Sequence, residues 1–163
     1  WRQESFVGDG SNLDFALSRR ARGDVLLFRG MAPQQIVGSP DDADEVALTD
    51  AIEQDGTLID QLKKTQIQLQ ASTVHVQRGD GIAAIRQAAP ASLDVIFIDP
   101  PFDAPLFEPA LGACARALAP EGWVYLEAPI AYTDETLSAV GLSVHRHLKA
   151  GAVHAHLLKH RAA

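Results

Sequence analysis

Leu93-Asp94-Val95-Ile96-Phe97-Ile98-Asp99-Pro100-Pro101-Phe102 is the stretch on which the fold turns. Leu93, Val95, Ile96, Phe97 and Ile98 make a short, nearly unbroken apolar run, the pattern of a parallel strand buried on both faces. The run stops at Asp99. In an open α/β sheet that position, the carboxyl end of a strand, is where ligands bind, and the two prolines that follow fix the backbone and remove two N–H donors. Acceptors remain. The Asp99 carboxylate and the Pro100 carbonyl can both accept from one planar NH2 group, while Phe102 offers a ring face for stacking a flat base. An exocyclic amine on a nucleobase fits that description.

Working outward, apolar runs alternate with helical patterns. Glu45–Ile52 reads as a strand closing at Glu53-Gln54-Asp55, and Leu58, Ile59, Leu62, Ile67 and Leu69 supply a helical face. Thr73–Gln77 is a further strand ending at Arg78-Gly79-Asp80-Gly81, with a short helix over Ile82–Gln87. Beyond Phe102, Leu106–Leu118 predicts a helix stopped by Pro120-Glu121-Gly122, and Trp123–Glu127 a strand. Leu142–Leu148 and Ala152–Lys159, split by Lys149-Ala150-Gly151, predict an antiparallel hairpin. Strands alternating with helices imply a mostly parallel sheet flanked by helices, with right-handed crossovers and an antiparallel C-terminal edge.

Two acidic residues close successive strands where a nucleotide-like cofactor would need them. Glu53 can accept both hydroxyls of a ribose; Asp80 can accept from an adenine amino group, with the Gly81 N–H beside it. The competing role for each is a carboxylate placed at a helix amino terminus, favoured by the local dipole.

Asp99-Pro100-Pro101-Phe102 resembles motif IV of the amino-methyltransferases. From Ile52 onward the chain is similar to the bacterial 16S rRNA guanine-N2-methyltransferase family, the RsmD-like enzymes, through Ile-Glu-Gln-Asp, Gln-Leu-Lys-Lys, Asp-Val-Ile-Phe-Ile-Asp-Pro-Pro-Phe, Trp-Val-Tyr-Leu-Glu and the Lys149-Ala-Gly-Ala-Val-His-Ala-His-Leu-Leu segment, in that order. The tetrapeptide alone is shared with DNA adenine-N6 enzymes; its combination with the Lys-Ala-Gly hairpin is more specific. The resemblance implies a class I, Rossmann-like methyltransferase fold, S-adenosyl-L-methionine (AdoMet) as cofactor, and Asp99, Pro100, Pro101 and Phe102 around the target amine. It also implies a cytoplasmic monomer acting on 16S rRNA or the assembling small ribosomal subunit.

The first fifty residues depart from that pattern. A Gly-x-Gly loop should follow the first strand, with the acidic residue about twenty positions on. Phe6-Val7-Gly8-Asp9-Gly10 matches in letters, but Trp1–Ser5 make a poor buried strand and Glu53 lies too far downstream. Asp24–Phe28 as first strand, with Arg29-Gly30-Met31-Ala32 as its loop, restores the spacing and loses the second glycine; burial and topology favour this register, which puts Gly30 at the cofactor. Residues 1–23 would then form an N-terminal helix and arm, and residues 24–163 the methyltransferase domain.

The 163-residue chain, 47% hydrophobic, suits one domain with a sizeable core, and no apolar run approaches the ~20 residues of a membrane span. Neither a signal-peptide pattern nor a Cys-rich site is legible, and the single cysteine, Cys114, sits in an apolar helical stretch as a core residue. Net charge is −7, which argues against a general nucleic-acid binder. Its distribution does not. No acidic residue follows Glu135, whereas Arg146, Lys149, Lys159 and Arg161 interleave with His145, His147, His154, His156 and His160, so this end can meet phosphates. His154-x-His156 would point both imidazoles to one strand face, without a carboxylate or cysteine nearby to complete a metal site.

Overall fold

A computed structural model describes residues 25–29, 48–72 and 74–162. Within them the strands are β1 (Val25–Arg29), β2 (Leu48–Glu53), β3 (Val74–Arg78), β4 (Leu93–Ile98), β5 (Leu118–Ala128), β6 (Leu142–Ala150) and β7 (Val153–His160), and the helices are α1 (Gly56–Gln68), α2 (Gly81–Gln87), α3 (Phe107–Ala117) and the short α4 (Asp134–Leu137). The strands form one sheet in the order β3-β2-β1-β4-β5-β7-β6. β3 pairs parallel with β2 and β4 with β5, while β7 is antiparallel to both β5 and β6. The β6–β7 hairpin is the antiparallel edge expected from the sequence.

β1 departs from the expectation. It runs antiparallel to both neighbours, Val25 pairing with Ile52 and Ile98, and Arg29 with Leu48. β2 to β6 therefore share one direction, and β1 and β7 oppose it. A short apolar run such as Val-Leu-Leu-Phe suits a central strand in either sense, because hydrophobic pattern encodes burial and not polarity. In consequence Arg29, at the carboxyl end of β1, stands at the opposite edge of the sheet from Glu53 and Asp99. Gly30, Gly8, Gly10 and the proposed arm over residues 1–23 lie outside the described residues.

α2 and α3 cover one face of the sheet. Ile85, Leu111, Cys114 and Ala117 pack with Ile96, Ile98, Val124 and Leu126 in one continuous core, each fully buried Leu or Ile contributing about 1.5–3 kcal/mol. Cys114 is the expected core residue, and burial pushes its thiol far above the usual range. Arg116 ties the two helices together by donating from Nη2 to the carbonyls of Arg86 and Ala88 at the end of α2, 2.5 and 2.6 Å away. These carbonyls have no partner within their own helix, so the guanidinium acts as a C-terminal cap.

The helix-stopping sequence Pro120-Glu121-Gly122 lies inside β5 rather than before it. Leu93 pairs with Leu118 but Val95 with Trp123, so the chain makes a detour between the two positions. Gly122 permits it. A Cβ there would lie 2.7 Å from Leu118 Cδ1 and 3.0 Å from each of two backbone oxygens, those of Ala119 and Asp94. Any side chain at this point would push β4 and β5 apart just upstream of Asp99.

Candidate active site

β2 passes into α1 through a turn held by carboxylates. Glu53 is buried, and its Oε1 accepts from the Asp55 N–H at 2.7 Å. Asp55 in turn caps α1, accepting from the N–H groups of Thr57 and Leu58 at 2.7 and 3.2 Å, as N-cap aspartates do. Arg78, at the end of β3, donates from Nε to the Gln54 carbonyl at 3.1 Å, and the Gly79 N–H donates to the Glu53 carbonyl at 3.0 Å. Arg78 was not singled out by the sequence reading, although it clamps the Glu53 turn. Glu53 thus has part of the local, helix-entry role open to it. Its other oxygen does not: Oε2 is buried with no hydrogen-bond partner among the described residues. A buried carboxylate oxygen left unpaired costs free energy, and a ligand hydroxyl would satisfy it.

Asp80 follows β3 and caps α2, its Oδ1 accepting from Ile82 and Ala83 at 2.8 and 3.1 Å. Gly81 opens that helix. The capping role and a ligand role are compatible, because the cap engages one oxygen and a carboxylate has two.

Asp99 leaves β4 half-buried, followed by buried Pro100 and half-buried Pro101 and Phe102. Its position relative to Glu53 follows from register. Ile52 and Ile98 both pair with Val25, so Glu53 and Asp99 emerge at one level on the two strands flanking β1, two strand spacings or about 10 Å apart. Glu53, Asp80 and Asp99 share one edge, the carboxyl ends of β2, β3 and β4, on either side of the point where strand order reverses. The donor set fits AdoMet: an unpaired buried carboxylate oxygen for ribose hydroxyls, and a carboxylate beside a helix-start N–H for an adenine.

Residues 43–159 match the family described as Conserved hypothetical protein 95. The chain belongs to this family. Its fold is that of a class I methyltransferase, and the RsmD-like kinship read from its motifs holds. Among solved structures the Conserved hypothetical protein 95 chain is similar to yhhF from Escherichia coli, named as a candidate methyltransferase, at 27% identity and a TM-score of 0.57, over 69% of this chain and 62% of that one. It is also similar to HI0767 from Haemophilus influenzae, named as a candidate methylase, at 26% identity and a TM-score of 0.55, over 67% of this chain and 70% of that one. TrmN from Thermus thermophilus shares the fold at 17% identity and a TM-score of 0.52, over 69% of this chain and 36% of that one. Comparison with curated proteins gives no match.

In this family member a row of rings leads from Phe102 toward the C-terminal hairpin. Phe102 packs near Phe107 of α3, their ring centroids 6.4 Å apart, and Phe107 lies 6.5 Å from Tyr132. Tyr132 belongs to the turn after β5, and its backbone N–H donates to Nε2 of the fully buried His156 at 2.9 Å. His156 therefore carries its hydrogen on Nδ1, which is buried and has no partner of good geometry among the described residues. Its pKa is pushed down to about 4, first by burial and then by His147, against the opposing pull of the Leu126 and His154 backbones. The sequence placed His154 and His156 on one face, as found; it did not show that the turn at Tyr132 would bury one and leave the other partly open.

A folded-state value below the ordinary 6.5 means that, as pH falls, the unfolded chain takes up a proton that folded His156 refuses. The contribution of neutral His156 is complete above about 6.5 and is lost as pH falls toward about 4. The melting temperature is therefore expected to drop between pH 7 and pH 5 by more in the wild type than in His156→Gln, whose amide oxygen can still accept from Tyr132. Equal drops in the two proteins would remove His156 as the cause.

Proposed function

We propose that this protein transfers a methyl group from AdoMet to the exocyclic N2 of a guanine in 16S rRNA, acting in the cytoplasm on the RNA or on the assembling small subunit. The observation that carries the reading is the common level of Glu53 and Asp99 on the strands flanking β1, about 10 Å apart, which supports giving the cofactor to one carboxylate and the target amine to the other. When bound, AdoMet supplies a methyl group on a positively charged sulfur. Glu53 would hold its ribose, and Asp80 with Gly81 its adenine.

The chemistry left to the protein is orientation. The lone pair of an aromatic amine is delocalised into its ring, so the site has to turn the NH2 group toward the methyl carbon. Asp99 and the Pro100 carbonyl, each accepting one N–H, do this and stabilise the positive charge that grows on nitrogen. Pro100 and Pro101 add no competing donors, and Phe102 gives the unstacked base a face to rest on. With AdoMet bound, transfer would form the nitrogen–carbon bond as the carbon–sulfur bond breaks, the electron pair leaving with sulfur. The surplus N–H proton passes to Asp99 or to water, so no metal or covalent intermediate enters.

Tritiated methyl transfer tests the assignment. Label is expected in 16S rRNA or small subunits and, after digestion to nucleosides, in N2-methylguanosine. Incorporation into duplex DNA alone, as N6-methyladenine, would replace the substrate assignment, and absence of AdoMet binding heat in a titration would leave an RNA-binding module without catalysis.

A further inference from the structure

The C-terminal hairpin extends the edge that carries the site. Leu126 pairs with both Ile98 and His156, so β7 at His156 lies level with the end of β4 and two strands, about 10 Å, beyond it. His154 pairs with Ala128 at the carboxyl end of β5 and with Lys149 on β6, which puts Lys149 and His154 at the edge from which Asp99 emerges. The three cations Arg146, Lys149 and Lys159, which the sequence suggests as one basic surface, do not act together. Arg146 pairs with Leu157 and Lys159 with Ser143, on the opposite face from Lys149, and both lie further from that edge.

Lys149 has different company. His147, exposed, and His154, half-buried, lie edge to edge on its face, nearly coplanar, with ring centroids 5.1 Å apart, planes within 6° and a 2.9 Å hydrogen bond between Nε2 and Nδ1. His147 also lies 4.7 Å from the ring of His156, which meets Tyr132 edge-on at 5.7 Å. Rings thus run without interruption from Phe102 to the hairpin tip. Burial and the neighbouring His147 and Lys149 push His154 below its usual value. Flat, coplanar rings beside an exposed ammonium match the chemistry of an unpaired nucleotide, a π-face next to a phosphate.

We propose that His147, His154 and Lys149 form a second contact for the nucleic-acid substrate, on which an unpaired base neighbouring the target stacks against the imidazole pair while its phosphate meets Lys149. This rests on the nucleic-acid reading of the Asp99 site and adds to it where the strand goes after the target base has turned inward. The occupant is single-stranded RNA and not a duplex, because stacking needs an exposed base face.

Direct binding of a short single-stranded RNA containing 2-aminopurine tests the contact without relying on methyl transfer. The intact wild-type protein should bind it and quench its fluorescence. The His147→Ala, His154→Ala double variant should bind about 5- to 100-fold more weakly and lose the quench at an unchanged melting temperature. Phenylalanine at both positions should restore stacking, and Lys149→Ala should keep the quench while lowering the slope of log affinity against log salt by about 0.7. Should the alanine pair unfold, the phenylalanine pair and Lys149→Ala decide. Wild-type protein that fails to bind or quench the probe, alanine variants that bind and quench unchanged, or a Lys149→Ala slope equal to wild type would overturn the proposal. Methyl transfer to 16S rRNA, measured in parallel on the wild type, reports separately on the function, so either can fail alone.

Discussion

Replacing Asp99 by alanine is expected to cut methyl transfer by a factor of about 10²–10³ or more, the usual cost of removing a group that is aimed at charge developing in the transition state. AdoMet affinity should stay within a few-fold of wild type. The division follows from position: Asp99 ends β4 and precedes the two prolines, whereas the buried oxygen assigned to the cofactor belongs to Glu53, on the far side of β1. Asp99→Asn separates charge from geometry, since the amide keeps one acceptor and presents two donors to an NH2 group that is itself a donor; it should be nearly as poor as alanine. Single-turnover transfer and calorimetric AdoMet titration make the measurement. An Asp99→Ala protein that loses cofactor binding in step with transfer would place Asp99 at the cofactor instead.

Glu53→Ala is expected to weaken AdoMet by about 1–3 kcal/mol, or roughly 5- to 150-fold in dissociation constant, because hydroxyls assigned to a buried carboxylate would be left unpaired. Alanine also deprives the Asp55 N–H of its 2.7 Å acceptor, so the turn into α1 should loosen. Glu53→Gln keeps an oxygen for that N–H and isolates the ligand effect: its melting temperature should match wild type while its AdoMet affinity still falls. An AdoMet dissociation constant unchanged in both variants would take Glu53 out of the site and leave it as a structural carboxylate.

Much of this arrangement is legible in the residues. The apolar runs at 93–98 and 123–127 and the breaks at Gly79-Asp80 and Gly151 mark strands and their ends, with β6 running on through the expected turn residues Lys149 and Ala150, because burial and turn chemistry are local properties that a sequence states directly. Glu53, Asp80 and Asp99 stand out for the same reason, as carboxylates following apolar strands, although Asp80 also serves as the α2 cap that such a position equally suits. What is not legible depends on contacts between distant segments. The direction of β1 is shown by its pairing with Ile52 and Ile98 and not by its composition. The separation of Lys149 from Arg146 and Lys159 depends on cross-strand register, including the shift between Val144 and Arg146. His156 looks like its neighbour His154 until the turn at Tyr132 closes over it, and Arg78 looks like a strand terminus until Gln54 is placed within its reach.

The reversed β1 also bears on the order in which the molecule assembles. From β4 onward, sheet neighbours are close in sequence, and such contacts form early because little loop entropy opposes them. In the sheet, by contrast, β2 and β4 are joined only through β1, with Ile52 meeting the rest of the core beneath it, and pairing Val25 with Ile98 closes a loop of about 70 residues. The C-terminal half, with Asp99, can therefore gather before the Glu53 half joins it. Insertion of β1 as a wedge then becomes a late step, and the two acidic ends reach their working separation only when it is complete. Local opening of that single strand is therefore expected to cost AdoMet affinity before global unfolding, which exchange of the β1 amides followed beside AdoMet titration in mild denaturant checks.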